Sequence, residues 1–400
     1  MHVVTFPIIE GLGLRPVINA VGSPTRLGGT RYSEPVVQAM LEASQCFVPI
    51  HELQARASEA IVALTGAEAG CVTTGAAASL YLGACAILAG DELASMHELP
   101  DTQGRPSEFV VHRPHRSPYD HAVRAAGGKL VEFGYAWQGV GAYPWQLEAA
   151  IGPNTAGILF QANAEHLGLP LATVSEIAHA AGLPVLVDAA EELPPADRLR
   201  RLIADGADLI AVSGGKALHG PAGSGFLAGR RELVLSAAMQ HQDMYTTPEL
   251  FPGPFGEREA GFTDPGHHGM GRILKVGREQ IIGLTVAIET FLTVDPEAEL
   301  ARCRRALQTI QRHLATRVAV TIAEPTPGAL PYMRIELDDS STAFAVARTL
   351  LEEEPRIFVD EGQLKAGVVG IGPRNLTEPE AEIVGRRLAV ALRATAGGAL

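Results

Sequence analysis

The sequence is poor in cysteine and has no cysteine pair at the C-x-x-C spacing of a metal or redox site. Its four cysteines, Cys46, Cys71, Cys85 and Cys303, are scattered, which favours reduced thiols over a disulfide framework. The amino terminus lacks a basic region followed by an apolar segment, so no signal peptide is predicted. The most apolar stretch, residues 75–90, is too short and too rich in glycine to span a bilayer. These absences predict a soluble, cytoplasmic protein.

An excess of positive charge is also absent. The formal net charge of −13 argues against a nucleic-acid partner and against an anionic membrane surface. Two nucleotide-binding motifs are missing as well. Ile210 stands where a P-loop needs glycine, and Ala217 replaces its Ser or Thr. Residues 74–79 (TGAAAS) do not supply the G-x-G-x-x-G of a Rossmann-type binder, which is the main competing interpretation.

What the chain does contain is an alternation of apolar strands and helices with short connections. This pattern predicts an α/β fold with a mostly parallel sheet covered on both faces. A length of 400 residues with 46% hydrophobic side chains favours two domains. We predict an N-terminal arm over residues 1–40, a large ligand-binding domain over 41–284 and a smaller α+β domain over 285–400.

One lysine stands out because of its position. Lys216 lies among glycines in residues 213–221 (SGGKALHGP), directly after the apolar run 208–212. The carboxyl end of a strand is where open α/β sheets bind ligands, and the glycines would let a flat ligand approach the backbone. Taken alone, the segment is more typical of a solvated lysine in a turn.

Two further features precede Lys216 along the chain. The small-residue turn 74–77 opens a helix whose free N–H groups suit a phosphate, and Asp188 closes the apolar strand 184–187. An anion site, a carboxylate and a lysine are the set that pyridoxal phosphate requires. We therefore predict that Lys216 forms the Schiff base and then serves as catalytic base or acid. Asp188 is predicted to keep the ring nitrogen of the cofactor protonated.

Several longer segments point to one family. They are residues 17–20 (VINA), 64–69 (LTGAEA), 75–78 (GAAA), 115–120 (HRSPYD), 188–194 (DAAEELP), 213–217 (SGGKA) and 269–277 (GMGRILKVG). On these segments the chain resembles the selenocysteine-synthase-like branch of fold-type-I pyridoxal-phosphate enzymes, the branch that includes D-glucosaminate-6-phosphate ammonia-lyase. The resemblance implies the fold-type-I transferase fold, a small-molecule substrate and a homodimer or larger homo-oligomer.

The resemblance also implies roles for individual residues. The implied cofactor contacts are Gly75, Ala76, Ala77, His115, Asp188, Ser213 and Lys216. The implied or candidate substrate contacts are Arg116, His219, Arg272 and Arg374. Residues 267–277, which begin with His267 and His268, are expected at a subunit boundary near a cofactor. No metal site is predicted, because no acidic or thiol side chain completes a set from His112, His115 and His121.

The preferred reaction is an α,β-elimination on an amino acid or amino sugar acid, giving a 2-keto-3-deoxy acid and ammonia. Racemisation and retro-aldol cleavage start at the same carbon, so the sequence around Lys216 leaves them open. A binding protein that uses the cofactor without catalysis is a further alternative, and the intact pair of Asp188 and Lys216 argues against it.

Overall fold

The computed structural model describes residues 6–135, 142–242, 247–258, 269–314, 318–324 and 329–396. His267 and His268 lie outside these ranges. Contacts divide the chain into a large unit, residues 32–293, and a small unit that combines residues 1–31 with 294–400. The domain boundaries after residues 40 and 284 stay predictions. Within the described ranges, no helix combines the length and the apolar character that crossing a membrane requires.

The strands and helices follow in chain order. The strands are β1 (Ile18–Ala20), β2 (Ala69–Thr73), β3 (Glu108–His112), β4 (Lys129–Phe133), β5 (Thr155–Gln161), β6 (Val185–Asp188), β7 (Leu209–Ser213), β8 (Gly225–Gly229), β9 (Ala319–Ala323), β10 (Tyr332–Glu336), β11 (Ile357–Val359) and β12 (Val368–Ile371). The helices are α1 (Pro7–Gly11), α2 (Glu34–Ser44), α3 (Ile50–Thr65), α4 (Ala76–Ala89), α5 (Leu93–Glu98), α6 (Asp120–Ala125), α7 (Pro144–Ala150), α8 (Leu171–Ala180), α9 (Arg198–Ala204), α10 (Arg231–His241), α11 (Arg278–Thr293), α12 (Pro296–His313), α13 (Ser340–Glu352) and α14 (Glu378–Ala396).

A seven-stranded sheet with the order β2-β8-β7-β6-β5-β3-β4 forms the centre of the large unit. The strands from β7 to β4 pair in parallel with their neighbours, whereas β8 runs antiparallel to both β2 and β7. Most parallel connections pass through a helix, and helices therefore cover both faces of the sheet. The predicted α/β fold with a mostly parallel sheet is confirmed.

Side chains of the central strands alternate between two apolar layers. Val187 and Ile210 face the layer that contains α3, while Leu186 and Leu209 face the layer that contains α4. Helix α4 lies very close to the sheet, since a Cβ on Gly83 would stand 2.8 Å from the Cδ1 atom of Leu186. Burial on both faces fixes the strand ends, which form a rigid edge for a ligand site.

The small unit contains an antiparallel sheet and a separate pair of parallel strands. The sheet has the order β12-β10-β9, and β1 pairs with β11 so that Ile18 lies opposite Ile357. Strand β1 belongs to the segment predicted as an arm, so this segment contributes a strand to the small unit. The buried core of the unit includes Leu307, Ile335 and Leu388.

Asp208 connects several elements at the amino-terminal edge of the central sheet through polar contacts. Its Oδ2 atom accepts a hydrogen bond of 2.7 Å from the backbone N–H of Val185 and lies 2.8 Å from Nε2 of His179. Its Oδ1 atom accepts from Nη1 of Arg230 at 3.1 Å. The carboxylate is buried. It therefore connects the starts of β6 and β7 to the helix before β6 and to the end of β8.

We expect Asp208→Ala to lower the free energy of unfolding by about 2–4 kcal/mol, because the buried N–H of Val185 and the side chains of His179 and Arg230 lose their shared partner. Urea unfolding followed by circular dichroism measures the change. Asp197→Ala is the control, since Asp197 forms an exposed pair with Arg201 at 3.2 Å. The control should change stability by less than about 1 kcal/mol. Equal effects of the two substitutions would show that Asp208 does not hold this edge.

Candidate active site

The predicted site residues of the large unit gather mainly at the carboxyl-terminal edge of the parallel strands. Asp188 ends β6, Ser213 ends β7 and Lys216 follows three residues later. His115 lies in a short 3₁₀ helix after β3, and Gly75 lies between β2 and α4. Ligands of open α/β sheets bind beyond this edge. The strand order therefore brings these residues to one side of the sheet.

The turn before α4 is built for close approach of an anion. Gly75 has a φ of 145°, which residues other than glycine rarely adopt, and none of the described side chains caps the helix that it begins. The N–H groups of the first turn, at Ala76 and Ala77, are thus left for another acceptor, and Ala77 is exposed. A Cβ on Gly225 would lie 2.6 Å from the carbonyl carbon of Gly75, so β8 begins directly beside the turn. Ser213 lies opposite Gly225 in the register.

Asp188 is buried, and its Oδ1 atom accepts a hydrogen bond of 3.0 Å from the N–H of Ala190. Burial raises the pKa of the carboxyl group above its ordinary value, although the N–H of Ala190, the side chain of Gln161 and the charge of Lys216 oppose this rise. A buried carboxylate of this kind calls for a cationic partner. A protonated ring nitrogen would supply one.

The amine of Lys216 lies beside a carboxylate that the sequence analysis does not single out. Its Nζ atom stands 3.2 Å from Oε2 of Glu191. The loop after the lysine turns back sharply at His219, which has a φ of 54° and donates its N–H to the carbonyl of Lys216 at 3.1 Å. His219 thus belongs to the same loop as the lysine.

The glycines before Lys216 serve the packing of this loop. A Cβ on Gly214 would lie 2.3 Å from Oγ of Ser224, and a Cβ on Gly215 would lie 2.6 Å from Cα of Ala222. The sequence predicts that these glycines let a flat ligand approach, which stays a prediction. The structure adds a packing reason, because the loop folds onto the residues that lead into β8.

His115 is a buried, neutral histidine. Its Nδ1 atom accepts a hydrogen bond of 3.3 Å from the N–H of Gln161, and its ring meets the Phe160 ring edge-on at 4.8 Å. Burial, followed by the nearby His112, lowers the pKa of His115 to about 4. An accepting Nδ1 places the proton of the neutral ring on Nε2. Among the described residues Nε2 has no partner at hydrogen-bond distance, although the nearby carbonyl of Ala164 counters part of the fall in the pKa.

Arg116 is engaged by two carboxylates of the protein. Its Nε atom donates to Oδ2 of Asp120, and its Nη1 atom donates to Oε1 of Glu132. The side chain is 35% exposed. A substrate anion at Arg116 would have to compete with both of these carboxylates.

Arg272 lines a cavity of about 410 Å³ in the large unit. Other residues around this cavity are Phe47, Gln54, His241, Lys275 and Arg278. Glu279 also lines the cavity and pairs with Arg278 at 3.0 Å, so Arg272 and Lys275 are the cationic side chains that make it suitable for an anionic group. Arg374 lies in the small unit just after β12, where its carbonyl accepts a hydrogen bond of 2.8 Å from Arg302. Its assignment to the substrate carboxylate stays a prediction.

Two residues at the sheet edge were missed from the sequence, and a third, His112, was not placed beside His115. Gln161 ends β5 as Asp188 ends β6, so the rule that identified Asp188 could have identified it. Glu191 lies within the resembling segment 188–194, but only the folded loop shows that it meets Lys216. His112 lies 5.1 Å from His115 between ring centroids, and periodicity alone gives no signal for that contact.

These residues fit pyridoxal phosphate. The uncapped start of α4 and Ser213 would hold the phosphate, and a Cβ placed on Gly75 meets no other atom within 4 Å, which leaves room for it. Asp188 would hold the ring nitrogen, and Lys216 would attach to the cofactor carbon. The carboxyl-terminal edge of the sheet thus combines an anion site, a buried carboxylate and an amine.

Comparisons with known proteins agree with this arrangement. Residues 112–366 match the family model described as Aminotransferase class-V. The chain is 30% identical over 395 residues to D-glucosaminate-6-phosphate ammonia lyase of Salmonella typhimurium, covering 95% of this chain and 96% of that protein. It is also 30% identical over 400 residues to 5'-C-glycyluridine monooxygenase-decarboxylase of a Streptomyces species, covering 95% and 90%.

A solved structure of D-glucosaminate-6-phosphate ammonia-lyase superimposes with a TM-score of 0.78 at 28% identity, over 98% of this chain and all of that chain. The family match covers more than half of the chain, and both relatives extend over nearly all of it. The resemblance inferred from the motifs is confirmed. The chain belongs to the aminotransferase class-V family and is a pyridoxal-phosphate-dependent enzyme of fold type I.

Proposed function

We propose that the enzyme is an ammonia-lyase that acts on a β-hydroxy amino acid or amino sugar acid. The products would be a 2-keto-3-deoxy acid and ammonia. The observation that carries the proposal is the placement of Asp188 and Lys216 at the ends of adjacent parallel strands, β6 and β7. The similarity to a named ammonia lyase over 95% of the chain supports the reaction class.

Each residue has a defined task in this reaction. Bound pyridoxal phosphate supplies an electron sink for the charge that develops at the substrate α-carbon. Asp188 keeps a proton on the ring nitrogen, and its burial makes that charge-assisted contact strong. Nε2–H of His115 is a donor on the same side of the sheet. Ser213 and the amides of α4 hold the phosphate in place.

Lys216 moves the protons. Its free amine removes the α-proton of the substrate and becomes an ammonium group. The ammonium group then gives a proton to the β-hydroxyl, which leaves as water. The unsaturated amine that is released takes up water to give the keto acid and ammonia, so atoms balance over the reaction.

We propose that the cavity around Arg272 binds an anionic group remote from the reacting carbon. Arg272, Lys275 and Arg278 line it, and burial lowers the pKa of His241 beside them, so that histidine adds no charge at neutral pH. Phosphate and carboxylate groups are the ligands that such a cavity prefers. A phosphorylated amino sugar acid carries a phosphate group at the end remote from its reacting α-carbon.

A second candidate rests on the Streptomyces relative, whose name describes a monooxygenase-decarboxylase and whose identity is also 30%. Such a reaction would consume oxygen and release carbon dioxide. Racemisation and retro-aldol cleavage stay open because both use the same lysine and carboxylate.

One screen separates these reactions. The holoenzyme is incubated in deuterated water with amino acids and with D-glucosaminate 6-phosphate, and products are followed by NMR. Keto acid with ammonia supports the proposal. Oxygen uptake with carbon dioxide, inverted stereochemistry, or glycine with an aldehyde would each replace it by the corresponding alternative. No deuterium incorporation and no spectral change with any compound would identify a binding protein.

We expect Arg272→Ala to raise KM for an anionic substrate by about 10-fold or more, because a charge-assisted contact is lost. The melting temperature should change little. Initial-rate kinetics measure the effect, with Arg124→Ala as the control, since Arg124 is exposed on α6. An unchanged KM for phosphorylated and unphosphorylated substrates would remove Arg272 from the site.

We further propose that the enzyme is a cytoplasmic homodimer or larger homo-oligomer. Large apolar side chains near the cavity are exposed in the single chain, including Phe47 at 95% and Ile273 at 78%. Three of the four cysteines are buried as free thiols, which suits a reducing compartment. Light scattering measures the oligomer, and cell fractionation locates the protein.

Mixed oligomers test whether subunits share sites. If one chain supplies Lys216 and its neighbour supplies Arg272, mixing Arg272→Ala with Lys216→Ala subunits should restore part of the activity. No restoration in mixed oligomers that demonstrably form would place Arg272 in its own chain's site, or in none.

A further inference from the structure

The carboxylate of Glu191 lies beside the amine assigned to cofactor attachment. Its Oε2 atom stands 3.2 Å from Nζ of Lys216, and the two side chains are 58% and 27% exposed. Glu191 follows Asp188 on the same loop after β6. The loop that supplies the buried partner of the ring nitrogen thus also supplies a solvent-facing partner for the lysine.

The next residue shows that this orientation is specific to Glu191. The side chain of Glu192 is only 9% exposed, and its Oε2 atom accepts from Nε of Arg198 at 2.7 Å. Arg198 also contacts Oε2 of Glu165 at 2.9 Å, which ties the loop after β6 to the segment after β5. Adjacent carboxylates therefore have separate partners, and Glu192 fixes the loop that presents Glu191.

We infer that Glu191 is a positioning residue that holds the amine of Lys216 whenever a substrate amine has taken its place on the cofactor. The inference rests on the proposed attachment of the cofactor to Lys216. In the exchange, a bond forms between the incoming nitrogen and the cofactor carbon, and the bond from that carbon to Nζ breaks. A proton passes from the incoming amine to Nζ. Lys216 leaves as an amine. It becomes an ammonium group by taking the α-proton of a substrate, or a proton from water when the incoming amine gives none.

The released ammonium group needs a negative partner that is not already in use. Among the described residues, the charged or titratable groups near Lys216 include Asp188, Glu191 and His219. Asp188 is buried and is assigned to the ring nitrogen. His219 carries no negative charge. Glu191 is the one of these three that can hold the ammonium group at the edge of the site and so favour exchange.

The test measures amine exchange without turnover. Methylamine is titrated into the holoenzyme, and the absorbance of the bound cofactor reports its displacement from Lys216. For a partly exposed ion pair we expect Glu191→Gln to raise the apparent Kd of methylamine two- to five-fold (about the range of such pairs). Glu191→Asp should restore part of the affinity. The difference should shrink at 1 M ionic strength, where the Debye length is about 3 Å.

Asp197→Asn is the matched control, because it removes an exposed carboxylate near the end of the same loop that pairs with Arg201 and does not meet Lys216. It should leave the methylamine Kd unchanged, with circular dichroism confirming the fold. An identical Kd in Glu191→Gln and the wild type, with the cofactor on Lys216 by peptide mapping, would overturn this inference alone. A cofactor attached elsewhere would overturn both the inference and the proposed role of Lys216.

Discussion

Lys216→Ala is expected to lower kcat by about 10³-fold or more, the largest effect of any single substitution in the chain. The residue has two tasks, attachment of the cofactor and proton transfer at the α-carbon, and positioned proton transfer alone contributes about 10²–10⁴-fold. The loop around it is fixed by backbone contacts at 214 and 220, so the fold should survive. Lys129→Ala is the control, because Lys129 is exposed on β4.

Chemical trapping tests the same assignment without kinetics. Borohydride reduction of the holoenzyme should leave the pyridoxyl group on Lys216, where peptide mapping detects it. A label on Lys275 or Lys365 would contradict the assignment. Lys216→Ala protein should still bind the cofactor through α4 and Ser213, but without a covalent label.

Asp188→Asn is expected to have the second largest effect. The substitution keeps the shape but removes the charge, and loss of a charge-assisted hydrogen bond costs about 1.5–3 kcal/mol. We expect weaker retention of the cofactor and a fall in kcat of about 10²-fold or more, since the electron sink acts mainly in the transition state. Turnover near the wild-type value would mean that another group protonates the ring.

Asp188→Asn should lower turnover, but it should not lower the stability of the cofactor-free protein. Burial raises the pKa of Asp188, so the unfolded chain loses this proton at a lower pH than the folded protein does. Stability from this group is thus present at low pH and is lost as the pH rises through the folded value. Asp188→Asn should remove that loss, and the cofactor-free variant should be at least as stable as the wild type at neutral pH. Thermal unfolding at several pH values measures this, and a strongly destabilised variant would contradict it.

The alternation of apolar strands and helices was sufficient to predict the central sheet. The apolar runs 184–187 and 208–212 were predicted as strands, and β6 and β7 differ from them by one residue at each end. These strands are continuous apolar runs that end in a polar residue, which gives a local signal. The small-residue turn and Asp188 were predicted by the same kind of signal.

Other elements depend on contacts that no local pattern reveals. Strand β8 has the sequence GFLAG, which reads as a loop, and its identity comes from pairing with β2 and β7. Helix α12 was missed although it runs from Pro296 to His313. The contact between Glu191 and Lys216 joins two loops, and the engagement of Arg116 by Asp120 and Glu132 joins a loop to a helix and a strand. Such contacts follow from topology rather than from composition.

The pairing of β1 with β11 has a consequence for the order of events during synthesis. Ile18 leaves the ribosome early, but its partner Ile357 emerges only when the chain is almost finished. The large unit is continuous between residues 32 and 293, so its sheet can form while the remainder is still being translated. The first strand of the chain must wait for one of the last. Closing so long a loop delays the small unit, and we expect it to acquire protection from amide hydrogen exchange after the large unit does.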